Sequence, residues 1–435
     1  MKYSDAVKAM LLASINTLVS NPENYAVCPG KDFSRNRKLG VKDLILLLLT
    51  MEADCIKEEL YLYFGRTTDA PSKAAFYKQR KKLKDDALRS LLIFFNRKCK
   101  KYLLDGKYSL IACDGSAADI CRNPKDPDTF FEPNGKSTKG FNQIHINAFF
   151  SILDKKFTDL VVQPGRKRNE YRAFCQMVDR CDAQNPVIYL CDRNYASYNN
   201  FAHVIENGQF FLIRCTDART EKLLGFSLDD VTTLDYHVER ILSRSKAKKK
   251  RRHPELEECY RHICKDVPMD YLTEIQTEYS ISLRVIRIEI AEGCYENLIT
   301  NLPDMEFDLD DFKELYHLRW NEETAYRDLK YPLCLKAFHS KQYDYIVQEV
   351  WARAILYNFC SEISMHVEIP KKNRKHIYQI NYSEAIKICR DFLRNNTQIL
   401  DVEGLIAQNI EPIRPGRTFA RQARFKLPMS FCYRN

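Results

Sequence analysis

No apolar stretch of this 435-residue chain approaches the roughly 20 residues that a membrane-crossing helix needs. The densest run, Leu44 to Leu49, is short enough to be a buried helix. Near the start, Ala9 to Ile15 is mildly apolar, but Asp5 and the lack of a small-residue cleavage pattern argue against a signal peptide. The expected location is therefore the cytoplasm. No CxxC pair occurs either: the 16 cysteines are scattered through apolar segments and read as reduced, small core residues. His253, Cys259, His262 and Cys264 match no common zinc-finger spacing, so structural zinc is not expected. Tryptophan is scarce, with only Trp320 and Trp351.

What the chain has in excess is positive charge, a formal +10 with a pI near 8.8, which suits an anionic polymer as partner. Hydrophobic residues make up 45%, ample for a core, and the length calls for two to four modules.

The most informative segment is YHLRWNEETAYRDLK, residues 316–330. At 3.6 residues per turn, Tyr316, Arg319, Glu323 and Lys330 project into an arc of about 60°. One helix face then offers a phenol, a guanidinium, a carboxylate and an ammonium. The same spacing suits a solvated helix surface of weak ion pairs, but Leu315, Leu318, Ala325, Leu329 and Leu333 place an apolar face directly beside it. Two further acids stand at strand ends. YSLIACDGS is an apolar, strand-like run that stops at Asp114 and is followed by an expected turn, and NPVIYLCDRNYAS ends its strand at Asp192. An aspartate there is often only a turn former. Two of them beside an acidic helix could gather three carboxylates into an oxygen-rich site for a divalent metal.

These residues resemble the DDE transposases of the bacterial insertion-sequence-4 group, which have a ribonuclease H-like catalytic core. The resemblance rests on the DG-S/T step at Asp114 to Ser116, the DRxY step at Asp192 to Tyr195, and the Tyr-x2-Arg-x3-Glu-x6-Lys signature ending at Lys330. It implies that Asp114, Asp192 and Glu323 are the catalytic, metal-binding triad for two Mg2+ ions, with Mn2+ an alternative. It also implies that Tyr316, Arg319 and Lys330 contact DNA phosphates. The expected activity is cleavage at transposon ends and joining of the 3′-hydroxyl to target DNA, by a homodimer on paired double-stranded ends. In some relatives a tryptophan of the β insertion stacks beneath a flipped base, whereas both tryptophans here lie outside that region.

The pattern along the chain gives an α/β fold with a mixed sheet, a β-rich insertion and helical ends. Residues 1–105 read as a helical DNA-binding region, in which Lys73, Lys78, Arg80, Lys81, Lys82 and Lys84 form a basic helix start with Phe76 and Leu83 turned inward. Residues 106–215 form the first part of the core, in strand-strand-strand-helix-strand-helix-strand order. Residues 216–301 are the β-rich insertion, which includes five consecutive cations from Lys248 to Arg252. Residues 302–366 complete the core with the catalytic helix, and residues 367–435 form a small helical region with a basic tail. The alternatives are a catalytically inactive DNA-binding protein on the same fold and a two-carboxylate glycosidase. The second lacks an aromatic sugar platform near Asp114.

Overall fold

The structure is a computed structural model and describes residues 2–135, 137–245, 258–319, 337–369, 377–394 and 401–413. Glu323, Lys330, Trp320, the cationic run from Lys248 to Arg252 and the basic tail lie outside the described residues.

Helices α1 (Tyr3–Ser20), α2 (Val41–Thr50), α3 (Ile56–Tyr63), α4 (Lys73–Arg80) and α5 (Ala87–Lys98) come first. Then follow β1 (Ser109–Ile120), β2 (Phe141–Ser151) and β3 (Lys156–Pro164), the antiparallel meander expected from the sequence. Lys155 takes the left-handed conformation, φ 51°, at the turn between β2 and β3. Next come α6 (Glu170–Asp179), β4 (Val187–Cys191), α7 (Tyr198–Glu206) and β5 (Phe210–Cys215). Both helices start on a side-chain cap, Asn169 for α6 and Ser197 for α7.

The first five strands lie in the order β3-β2-β1-β4-β5, with β4 parallel to β1 and to β5. This is the mixed sheet expected from the sequence. The residues read as an insertion do not form a separate sheet. Strands β6 (Leu234–Ser243), β7 (Glu278–Ala291) and β8 (Cys294–Thr300) continue the same sheet, with β8 antiparallel to β5.

Strand alternation sorts the two faces. Ile111, Cys113, Tyr189, Cys191 and Ile213 face α6 and α7 through Phe174, Met177, Phe201 and Val204. Leu110, Ala112, Ile188, Leu190, Leu212 and Leu298 face the other way, toward α8 (Leu309–Leu318), which inserts Phe312, Leu315 and Tyr316. Helix α8 starts on a capping box between Asp308 and Asp311. The N-terminal helices pack with the long α9 (Tyr343–Ser364) and α10 (Tyr382–Arg394) over β2 and β3.

Two sequence expectations change. There is no turn after Asp114: β1 runs on to Ile120, because β2 stays paired with it over the whole Asp-Gly step while β4 stops at Cys113. Arg80 is not part of an exposed basic face. It is fully buried, with Nη1 3.0 Å from Glu349 Oε1 and Nε donating to Gln348 Oε1 at 2.8 Å, whereas Lys73, Lys78 and Lys81 are exposed.

Glu349 also accepts from the His339 backbone N–H at 3.1 Å and lies 3.1 Å from His339 Nδ1, while His339 Nε2 is 3.6 Å from Glu59 Oε1. The network ties α3 and α4 to α9. Burial works against a charged imidazole, but Glu349 and Glu59 outweigh it and push His339 up to about 9. A histidine raised in this way adds stability that is complete below its unfolded pKa of about 6.5 and is lost as pH rises through the folded value. Denaturant midpoints should therefore fall between pH 6.5 and 9, with the fall flattened in His339→Gln. Equal slopes in the two proteins would remove His339 as the cause.

Candidate active site

The site begins with register. Cys113 pairs with Cys191 and Cys191 with Ile213, so Asp114, Asp192 and Arg214 stand next to one another, one residue further along three parallel strands. Neighbouring strands are about 4.8 Å apart. Each of the three follows two positions after a residue on the α8 face: Ala112, Leu190 and Leu212. Asp192 keeps extended backbone, φ −78° and ψ 175°, so the alternation carries through it. Both carboxylates therefore stand on the α8 side of the sheet, at the end where β4 stops. Both are half-buried.

Each carboxylate is anchored by a backbone N–H. Gly115 N donates to Asp114 Oδ1 at 2.7 Å, and Asn194 N donates to Asp192 Oδ1 at 2.8 Å. Asp192 thus also does what the plainer reading of a strand-end aspartate says, by capping the short turn Arg193–Tyr195. The Arg219 guanidinium holds the same turn through the carbonyls of Arg193 and Ala196.

Helix α8 brings Tyr316 over these strand ends. The phenol is 3% exposed, and among the described residues its hydroxyl has no hydrogen-bond partner. Burial raises its pKa, and Arg319, Glu296, Arg214 and Asp192 all lie within electrostatic reach. Arg319 follows at the helix end, 5% exposed, its guanidinium carbon 5.9 Å from the Tyr316 ring centre. The structure therefore brings Asp114, Asp192, Tyr316 and Arg319 to one end of the sheet. Glu323 and Lys330 fall outside the described residues.

Two members of this cluster were not singled out from sequence. Arg214, in the strand FFLIRC, pairs with Glu296 of β8 across 3.1 Å. Glu296 lies two residues before Leu298 and so shares the α8 face. Charged residues inside apolar strands were the available signal. It had no meaning until β8 was known to pair with β5.

A divalent cation requires several oxygen donors. Asp114 and Asp192 supply two carboxylates on one face of the sheet, and the buried Tyr316 hydroxyl is a donor without an acceptor among the described residues. Among the described residues no group of three His, Cys, Asp or Glu is close enough to hold a metal ion. Glu323, the third carboxylate expected from the sequence, lies outside the described residues. The donor chemistry of the two aspartates fits Mg2+ or Mn2+. None of the helices searched among the described residues is long and apolar enough to cross a membrane.

Residues 105–359, more than half of the chain, match the model of a family described as "Transposase DDE domain". No match was found among curated proteins. A solved structure titled "Cryo-EM structure of piggyBac transposase synaptic complex with hairpin DNA (SNHP)" is similar at 10% identity and a TM-score of 0.43, over 95% of this chain and 84% of that one.

Proposed function

We propose, for a chain that belongs to the transposase DDE domain family, that it is a transposase of the insertion-sequence-4 group that cuts at its element's ends and joins the freed 3′-hydroxyl to target DNA. The observation that supports this most is the register that sets Asp114 beside Asp192 under the helix carrying Tyr316. Asp114, Asp192 and Glu323 would hold Mg2+, with Mn2+ accepting the same oxygen ligands. Bound there, the metal would activate the attacking water and stabilise the leaving oxygen.

The chain's own groups do the rest. The Gly115 and Asn194 N–H groups restrict the rotation of the two aspartates, so that their orientation is set before substrate arrives. Arg319, Lys330 and Arg214 neutralise charge on the scissile and neighbouring phosphates, and Tyr316 donates its hydroxyl to a phosphate oxygen. The exposed cations Lys73, Lys78 and Lys81 of the helical region give it a surface for duplex DNA. Pairing of two ends calls for a homodimer.

The decisive experiment incubates the protein with duplex DNA carrying the inverted repeats that flank its reading frame, in Mg2+, and maps the products. The expected product is a nick at the repeat boundary that leaves a 3′-hydroxyl. Binding without any nick in Mg2+ or Mn2+ would instead favour the inert DNA-binding protein. In the same assay Tyr316→Phe should slow cleavage by about tenfold, the size of one hydrogen bond to a charged group. Its melting temperature should not fall, because the hydroxyl it removes is buried without a partner among the described residues. Unchanged cleavage would take Tyr316 out of the site.

A further inference from the structure

The face of β1 opposite the two aspartates holds a pair that the proposed reaction does not use. His145 of β2 is 4% exposed, and its Nε2 lies 2.9 Å from Glu170 Oε1, at the start of α6. The pair presses on a single backbone position. A Cβ at Gly115 would stand 2.6 Å from His145 Nε2 and 3.1 Å from Glu170 Oε1, so a side chain there would have to displace the pair. Gly115 is also the residue whose N–H holds Asp114 Oδ1.

Glu170 is fixed in turn by its surroundings. Gln163 Oε1 accepts from the Asn169 N–H at 2.8 Å and from Asn147 Nδ2 at 3.3 Å, which binds the cap of α6 to β3 and β2. Asn169 accepts from Arg172 N at 3.0 Å, so the first turn of α6, and Glu170 with it, has little freedom. The His145 contact holds Glu170 below the ordinary carboxylate range.

We infer that His145 and Glu170 are positioning residues for Asp114: they form a backstop beneath Gly115 that sets where the Gly115 N–H, and with it the Asp114 carboxylate, points. This rests on the reading of Asp114 as a metal ligand. A ligand held by a fixed partner binds its cation more tightly than one left to rotate, and loss of such a partner typically weakens metal affinity by about 10-fold to 100-fold.

The test measures nicking of repeat-end DNA by the full chain against Mg2+ concentration, for wild type, His145→Asn, Glu170→Gln and Asp114→Asn. DNA affinity without metal and the circular dichroism spectrum are recorded for each. For both partners' variants, half-saturating Mg2+ is expected to rise about tenfold, with the maximal rate reduced by less than that. DNA affinity without metal should match wild type. Should His145→Asn fail to fold, Glu170→Gln carries the test, since it keeps the side chain's shape at a partly exposed position. Half-saturation unchanged in the folded variants overturns the inference, as does a loss of maximal rate without that shift. Wild-type nicking by Asp114→Asn is a different failure, and overturns the reading of the site itself.

Discussion

Asp192→Asn is expected to lower the rate of end cleavage in Mg2+ by about 1,000-fold or more, with affinity for end DNA nearly unchanged. Asparagine keeps the shape and can still accept from the Asn194 N–H through its side-chain oxygen, so the turn Arg193–Tyr195 should form as before. What is lost is one negative charge at the end of β4. A metal contributes several kcal/mol of charge stabilisation in phosphoryl transfer, and about 4 kcal/mol corresponds to roughly 1,000-fold in rate. Asp114→Asn and Glu323→Gln should act alike if the three form one unit, and any pair of changes should cost little more than one. Single-turnover cleavage of labelled repeat DNA, with gel shifts for binding, measures both quantities. Full cleavage by Glu323→Gln would remove that residue from the triad and leave the two aspartates in need of another partner.

The largest expected effect on stability lies far from the strand ends. Glu349→Ala should destabilise the protein by about 3–5 kcal/mol, the usual cost of removing one partner from a buried ion pair. Glu349 is 1% exposed and Arg80 is 0% exposed, so the guanidinium left behind could not be hydrated without opening the seam between α4 and α9. Burial by itself raises the pKa of Glu349, yet His339, Arg80 and Arg353 outweigh that and hold it down at about 2. Replacing both members, Arg80→Met with Glu349→Leu, should recover much of the loss, since it removes the unpaired charge together with the pair. Urea midpoints near neutral pH measure each variant. A single-variant loss below about 1 kcal/mol, the range of exposed pairs, would mean that the network is hydrated in solution.

The strands were legible in sequence because a buried strand must be apolar and must end where a polar group can be satisfied. The apolar run in NPVIYLCDRNYAS forms the strand Val187–Cys191, which stops one residue before Asp192. The turn expected after Asp114 was misplaced for a physical reason: an Asp-Gly step breaks a strand only if no neighbour holds it, and β2 holds β1 through to Ile120. Gly115 serves instead as the point where His145 approaches the backbone, and no local pattern signals that. Arg80 was misjudged similarly. Among lysines on a helix it looks like one more solvated cation, and only the arrival of Glu349, far along the chain, makes its burial possible.

The sequence by itself, through the family resemblance, singled out the candidates: two aspartates that close apolar runs, and four polar residues at helical spacing from Tyr316 to Lys330. Those are local properties, fixed by hydropathy and periodicity. The tertiary structure decided which of them meet. Parallel pairing of β1 with β4, and of β4 with β5, turns positions far apart in the chain into neighbours, and strand alternation then sends Asp114, Asp192 and Arg214 to the face that α8 covers. Register is a property of two strands at once, so no single stretch of sequence could have stated it.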